Sequence, residues 1–486
     1  MSNKINNEVV GNHERVLFGR RVIKTTVENV TDDNVLFVLQ EAMNIHNINC
    51  GEIEYLWQYY KGNQPILYRQ KEVRPEINNK IVVNRANEIV SFKVGYLIGE
   101  PIQYIGRNGS EELTEKVNQL NEWMLAQDKA SKDQEIVEWQ MICGTSYRLV
   151  LPTTDPYNEA PFDIYTLDPR ETFVVYSNDI GNKPVMAVKY MEDDQSIQHF
   201  SIYTEDHYWR VDGDIITESR PHRLGMIPIF EYPANNGRLG SFEIVLPLLD
   251  ALNKIESNRM DGMEQTVQAF IKFINCDISE EDFIALRDLG AIKVKSTEGL
   301  PADVDVVSNE LSQNESETFK DDIYKTILAI CGVPNQNSAE SGSINTTGAA
   351  VMLRNGWSLA EARAKDLENM FRRAEKRMLR LVTKICQEIE RVEINPKDVS
   401  LQFTRRNYEN IQSKSQVLVT MLQEQKIHPL LAFQYSGMFA DPERAYKMSS
   451  EYYEEQLKKW QPVSVDETEY EDVEDVSESG QLPEEA

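Results

Sequence analysis

LGMIPIFEYPANNGRLGSFEIVLPLLDALNKIESNRMD, residues 224–261, changes its period half-way along. Up to Pro233 the apolar residues read as the last strand of a β-rich region, and Asn235-Asn236-Gly237 is a turn signal that closes it. After Pro247 there is no proline, and Leu248, Leu249, Leu252, Ile255, Met260, Met263, Val267, Phe270 and Ile274 recur by threes and fours. That spacing predicts a helix from Phe242 to about Asn275, and the roughly 28 residues after Pro247 at 1.5 Å each make a rod of about 40 Å.

Before this point the chain alternates class only once. The first forty residues are polar and weakly patterned; helices are then predicted from near Val35 to Gly62, from Val83 to Ile98, and as a pair over Glu111 to Cys143. From Ser146 the period is two: SYRLVLP, FDIYTLD, TFVVYSN, PVMAVKYME, QHFSIYTED, HYWRVDG and DIITESR read as one largely antiparallel meander, with Asp212-Gly213 as a hairpin turn.

Beyond the rod, an insert from Cys276 to about Ser312 carries a short helix capped at Ser279, the strand AIKVKS and the run DVDVVS. A second helix, SETFKDDIYKTILAICG, stops at Gly332 and Pro334. The strip NQNSAESGSINTT, residues 335–347, is small, polar and rich in Gly and Ser, and such a strip is either disordered or has a task. The longest helix follows. Leu367, Met370, Phe371, Ala374, Met378, Leu381, Val382, Ile385 and Ile389 form its apolar stripe, which serves equally as a subunit contact or as intramolecular core. Gly356, Trp357 and Ser358, with Glu361 three residues after the serine, place a capping box inside the pattern and predict a kink or restart there. Past Pro396, SLQFTRR reads as a strand; three shorter helices follow, the last opened by Asp441-Pro442, and from Val463 the tail has ten acidic residues and no basic ones, a composition that predicts disorder.

The 486 residues, 41% hydrophobic, can bury substantial cores, and the fold class is α+β, mainly helical. A formal net charge of −28 excludes a general nucleic-acid binder that works by neutralising phosphates. Five cysteines, Cys50, Cys143, Cys276, Cys331 and Cys386, are widely spaced, so neither a disulfide framework nor a zinc ribbon is expected and a reducing compartment fits. No apolar run is long enough to span a bilayer and the N-terminus has no signal-peptide pattern, so the expectation is a protein of the cytosol.

Motifs that carry chemistry are missing from the sequence: there is no GxxxxGK[ST], no GxGxxG after a strand, no HExxH and no GxSxG. His199 and His207 could share one sheet region, but two histidines without further ligands read as ordinary strand residues. Asp303 and Asp305 alternate on one strand face without a third carboxylate nearby, which reads as a solvated face. Asn345-Thr346-Thr347 reads as a helix start. Lys293 and Lys295 alternate on a strand of the insert, either as a small basic face or as edge lysines that block aggregation. No cofactor and no metal are expected.

In their order, residues 224–261, the stretch ILAICGVPNQNSAESGSINTTGAAVMLRNGW, the long helix with its acid-rich tail, YTLDPRETFVVYSND and Gly144-Thr145-Ser146-Tyr147 resemble the portal proteins of tailed bacteriophages, in particular the siphophage type of Gram-positive hosts. The resemblance spans roughly Ile77 to Glu390 and lies in the order of blocks, not in one motif. It implies a portal fold with an α/β wing, a two-helix stem, a small α/β clip, a long kinked helix and a helical crown. It implies a ring, usually of twelve subunits, at one capsid vertex, with a central channel for double-stranded DNA during packaging and ejection. Mapped onto this chain, 1–241 is the first part of the wing, 242–275 and 315–334 the stem, 276–314 the clip, 348–406 the long helix and wing return, and 407–462 the crown, with 463–486 an acidic tail.

The same resemblance makes 335–347 the tunnel loop that touches passing DNA, through Asn335, Gln336, Asn337, Ser338, Ser341, Gly342, Ser343, Asn345, Thr346 and Thr347. Uncharged donors of this kind can meet phosphate oxygens without holding them, and Gly342 lets the backbone bend. The clip, with Lys293 and Lys295, would receive the terminase large subunit and later the head-completion or adaptor protein. Scaffolding and major capsid proteins are the other expected partners, in a protein assembled in the host cytoplasm and carried in the virion. Two rival readings remain at this stage: a metal-dependent nuclease using Asp303, Asp305 and Glu310, and a helical scaffold or adaptor that never meets DNA.

Overall fold

The first described element is one the sequence hides. In the computed structural model, which describes residues 17, 19–72, 74–107, 110–155, 157–267, 270–274, 276–277, 295–296, 303–307, 313–335, 356–404, 411–424, 426–439 and 442–460, a three-residue strand β1 (Ile23–Thr25) lies in the polar N-terminal stretch. Helix α1 (Val35–Tyr60), helix α2 (Arg85–Ile98), strand β2 (Gln103–Gly106) and the helices α3 (Glu111–Ala126) and α4 (Lys129–Cys143) follow. Asn84 caps α2 and Ser110 caps α3, each accepting a backbone N–H three residues on.

The strands then come as β3 (Thr145–Pro152), β4 (Phe162–Leu167), β5 (Thr172–Ser177), β6 (Pro184–Glu192), β7 (Gln198–Tyr203), β8 (His207–Asp212), β9 (Ile215–Pro221) and β10 (Ile229–Pro233). The single meander expected from their spacing is in fact two sheets. One has the order β1-β5-β6-β7-β8-β9, and the other β10-β3-β4. The chain leaves the small sheet between β4 and β5, over a turn in which the Arg170 N–H donates to Asp168 Oδ1 at 2.8 Å. β1 then adds to the large sheet in parallel, Ile23 opposite Val175, which no local pattern of three residues could announce.

Helix α5 (Leu246–Val267) begins where the change of period places it, but ends earlier than predicted. Phe270–Ile274 is not its last turn. It is strand β11, antiparallel to β14 (Asp303–Val307), with Phe270 opposite Val307 and Ile274 opposite Asp303. FIKFI satisfies both periods, and a β-rich partner segment decides in favour of the sheet, leaving a rod of about 33 Å. Within the insert, β12 (Cys276–Asp277) pairs with β13 (Lys295–Ser296), and the helix predicted at Ser279 lies outside the described residues. Helix α6 (Gln313–Cys331), helix α7 (Trp357–Ile389) and strand β15 (Val399–Gln402), which pairs with β2, complete the larger of two compact units, Met1–Glu409. The second unit, Asn410–Ala486, holds helices α8 (Ile411–Gln423), α9 (Pro429–Ser436) and α10 (Pro442–Trp460). The acidic tail lies outside the described residues.

The stripe of α7 goes into the core of its own chain. Phe371, Met378, Leu379, Leu381, Val382 and Ile385 are buried against β10, β3 and β4, so the intramolecular reading holds over most of its length, while Ile389 at the end is exposed. One member of this buried face is charged. Glu375 accepts from the hydroxyls of Tyr104 (2.5 Å) and Tyr232 (2.6 Å), from Arg148 at 3.2 Å, and pairs with Lys129 at 2.9 Å. Arg148 and Lys129 are shared with Asp133, at 2.6 Å each, so two cations and two carboxylates cancel in the interior. Burial pushes the Glu375 carboxyl up, but Lys129, Arg148 and the two hydroxyls outweigh it and hold the group down to about 2.

The loop between β10 and α5 is laced to the end of α4. Ala234 N–H donates to Gly144 O at 2.9 Å, and Ser241 N–H to Met141 O at 2.6 Å. The approach leaves no room for side chains: a Cβ on Gly240 would lie 2.2 Å from Ile142 O, and one on Gly144, at φ +83°, 2.1 Å from Arg238 O.

Three outcomes follow from this core. Glu375→Ala leaves Arg148 and Lys129 with Asp133 as their one shared carboxylate, an unbalanced buried positive charge, and is expected to cost about 3–5 kcal/mol, read as a lower urea midpoint. Gly240→Ala should fail to fold at 37 °C or melt well below the parent, since the clash is with backbone and cannot relax by a rotamer change. Stability should fall with acid in two windows. His46, buried and pushed down to about 4 from an ordinary 6.5, favours the native state less as pH drops through that interval, because there the unfolded chain binds the proton and the folded one does not. Glu375, with a depressed value, removes its contribution below 4.5. Urea midpoints from pH 8 to 3 check both, and Glu375→Gln should flatten only the lower window.

Candidate functional site

The strip 335–347 is bounded by described structure on both sides. Helix α6 ends in a Schellman turn: Gly332, at φ +70°, donates to Ala329 O at 3.3 Å and Val333 to Leu328 O at 2.9 Å. Val333 and Pro334 are buried, and Asn335 is half-buried. The chain reappears at Gly356, whose Cβ position lies 3.9 Å from Pro334 Cα. Twenty residues, 336–355, thus leave and return at one point. Of the residues assigned to DNA contact, only Asn335 is described; Gln336, Asn337, Ser338, Ser341, Gly342, Ser343, Asn345, Thr346 and Thr347 lie outside.

Both ends of the excursion are fixed to α2. On the α6 side, Arg85 lies over the Tyr324 ring at 4.2 Å, and Glu88 accepts from both Arg85 and the Tyr324 hydroxyl at 2.7 Å. On the α7 side, Trp357 packs on Tyr96 and Phe92, with centroids at 5.8 and 6.1 Å, and the Tyr96 hydroxyl donates to Glu361 at 2.9 Å. The expected box between Ser358 and Glu361 does not form. Gly356 occupies the cap position in a left-handed conformation, α7 starts at Trp357, and Ser358 is an exposed first-turn residue. The residues before Gly356 are outside the description, so the junction is the start of the described helix.

Helix α5 is held by a ladder that connects two periods. The N–H groups of Asn79, Ile81 and Val83 donate to Asp261 Oδ1 (2.7 Å), Ser257 Oγ (3.0 Å) and Asn253 Oδ1 (2.8 Å). Two residues of extended chain advance about 6.6 Å and four residues of helix about 6 Å, so every second amide meets every fourth side chain. All three acceptors are buried. Lys71 closes the end of the ladder on Asp261. Sequence reading missed it, although Asn253, Ser257 and Asp261 are polar residues at i, i+4 and i+8 in an otherwise amphipathic helix. At the far end of α5 and α6 sits the β11–β14 pair, with the β12–β13 bridge beyond it. Lys295 stands opposite Asp277 on that bridge, and Lys293 is outside the described residues.

The residues considered for metal chemistry are not brought together. Asp303 and Asp305 stand opposite Ile274 and Lys272 on β14, Glu310 is outside the description, and no group of three possible metal ligands occurs among the described residues. His199 on β7 is held by Asp212 at 2.6 Å and Asp193 at 3.1 Å, which raise its pKa, while His207 on β8 contacts Ser219 at 2.9 Å and stacks on Trp209. No described helix is long and apolar enough to cross a membrane.

The ladder yields a prediction. Asn253→Ala and Ser257→Ala each leave one half-buried N–H without its acceptor, at an expected cost of about 1 kcal/mol. Hydrogen exchange should accelerate at Val83 or Ile81 respectively, and not at the amides of β3.

The family described as Phage portal protein, SPP1 Gp6-like, matches residues 40–468. A solved structure described as the neck of an empty GTA particle, computed with C6 symmetry, is similar over 73% of this chain and 90% of that one, at 11% identity and a TM-score of 0.45. No curated relative matches the sequence. A family match that runs from α1 past the last described helix takes in the strand sheets, the helix pair, the insert and the long helix together, and the chain belongs to the SPP1 Gp6-like phage portal proteins.

Proposed function

We propose that twelve copies of this portal subunit close a ring at one capsid vertex, and that the segment 335–347 of each copy projects into the central channel as the tunnel loop. The observation that carries this reading is the return of the chain to its own starting point, Gly356 beside Pro334. A loop pinned at one base by α2 can lean with the passing duplex without disturbing the helices that hold it. Its Asn, Ser and Thr side chains offer uncharged donors to phosphates, and a ring of weak contacts lets DNA slide where a ring of lysines would grip.

In this reading α5 and α6 are the stem, residues 268–312 the clip, the sheets with α1–α4 and the body of α7 the wing, and the unit from Asn410 the crown. The clip, with Lys293 and Lys295, is the docking place for the terminase large subunit during filling and for a head-completion protein afterwards; scaffolding and major capsid proteins meet the rest of the ring during assembly in the host cytoplasm. The family is a structural one, and the subunit's work is positional: to hold an opening of fixed size at a vertex of the capsid.

Electron-microscope class averages of the purified protein test the ring, and a photo-crosslinking residue at position 341 in assembled particles tests the loop. Adducts with DNA are expected at 341 and not at the exposed Tyr157. Rings whose 341 position labels only protein would remove the tunnel-loop assignment. Ser341→Lys with Ser343→Lys should slow packaging by about two- to tenfold at low salt, an effect that added salt relieves because screened phosphates hold fewer cations.

A further inference from the structure

One surface of this acidic subunit is positively charged. Along α7, Arg373, Arg377 and Arg380 follow at intervals of four and three, so they share a face. None of them has a carboxylate within ion-pair distance among the described residues, and neither do Lys24 on β1 and Lys183 before β6. These five cations line two adjoining cavities of about 280 and 240 Å³, which share Arg377 and Asn182. The one carboxylate in the lining, Glu231, is already satisfied by Arg238 at 2.5 Å, by Thr145 at 3.1 Å and by the Tyr176 hydroxyl. Arg238, the only other cation there, is the one so used. Five uncompensated charges in a groove therefore await an anion in a chain of net charge −28.

We propose that this groove receives the acidic segment 466–478 of another copy of the chain. A duplex about 20 Å across does not enter cavities of this size, whereas carboxylate side chains do, and the overall negative charge of the subunit opposes DNA at long range. The segment DETEYEDVEDVSE supplies eight carboxylates and no base within thirteen residues. Every copy in a closed assembly carries both groove and segment, so each groove finds one partner and the contact is heterologous. The fit is electrostatic and should be lost in salt.

The two lysines of the groove make the contact readable. Full-length chain grown on heavy nitrogen is mixed with the same amount of light chain and treated with a carbodiimide, which joins a carboxylate to a touching amine. Mass spectrometry should find Lys24 or Lys183 of one isotope joined to the segment 466–478 of the other. The yield should fall about tenfold in the full-length R373Q/R377Q/R380Q variant, and similarly in about 0.5 M salt, where the Debye length is roughly 4 Å. A second variant, with the eight carboxylates changed to amides, should abolish the same products. The proposal is overturned if the two lysines couple only to other carboxylates, if the products join residues of one isotope only, or if the arginine variant leaves the yield unchanged while losing retention of duplex DNA.

Discussion

The fold depends on a neutral group of four buried charges. Arg148 and Glu375 are fully buried and Lys129 and Asp133 nearly so, and the four come from three elements: Arg148 from β3, Lys129 and Asp133 from one face of α4, Glu375 from α7. Isolated, any of them would cost several kcal/mol to bury; together, with Tyr104 and Tyr232 filling the remaining lone pairs, they cancel. Such a group tolerates only one arrangement of its elements. Leucines on α7 could slide by a turn against β10 and still be buried, whereas a slide of Glu375 would leave two buried cations with only Asp133 between them. The apolar stripe supplies most of the driving force, and the charges set the register. The position of Gly356, the cap of the same helix nineteen residues and about 28 Å before Glu375, follows from that register.

From this fixed point the rest of the portal subunit is positioned by two further devices. The ladder of Asn253, Ser257 and Asp261 holds α5 against the chain before α2, and the aromatic contact of Trp357 with Phe92 and Tyr96 holds α7 on α2 itself. Helix α2 and the chain leading into it are thus the common support of the helix pair and of both ends of segment 336–355. For a channel protein the arrangement separates two mechanical demands. The supports are helices joined by buried hydrogen bonds, which deform little, while the segment between Pro334 and Gly356 has a single base and mostly small or polar side chains in its first half.

What the sequence revealed was periodic, and what it hid was pairwise. The helices over 35–60, 85–98, 111–143, 313–331 and 357–389 were legible because each presents apolar residues at intervals that only a helix can place on one side. The limits of that signal are equally physical. FIKFI reads as helix or strand until DVDVV is known to lie beside it, and IKT reads as nothing until Val175 is its neighbour. Two sheets looked like one because alternation along a strand says nothing about which strand comes next to it. Glu375 was passed over because a lone glutamate in an apolar stripe looks like an error in the pattern, and its partners lie far along the chain, Tyr232 at 143 residues, Arg148 at 227, and Lys129 and Tyr104 further still. The left-handed Gly356 displaced a capping box that Ser358 and Glu361 seemed to write. A glycine two residues before a serine was the signal available.

Charge has two scales in this molecule, and they serve opposite ends. At distances beyond the Debye length only the sum counts, and a sum of −28 keeps a polyanion passing close by from adhering to the subunit as a whole. Within a few ångströms the sum is irrelevant and pairing decides. Glu231, Glu375 and Asp261 are each met by cations or amides at hydrogen-bond distance, so the interior spends none of its stability on repulsion. Between these scales lie the surfaces where copies touch. Like-charged subunits brought together must gain locally what they lose globally, and apolar contact alone cannot select the relative rotation that lets a ring close. A row of cations at helical spacing on an otherwise acidic subunit supplies direction as well as attraction, because it can be satisfied from one side only.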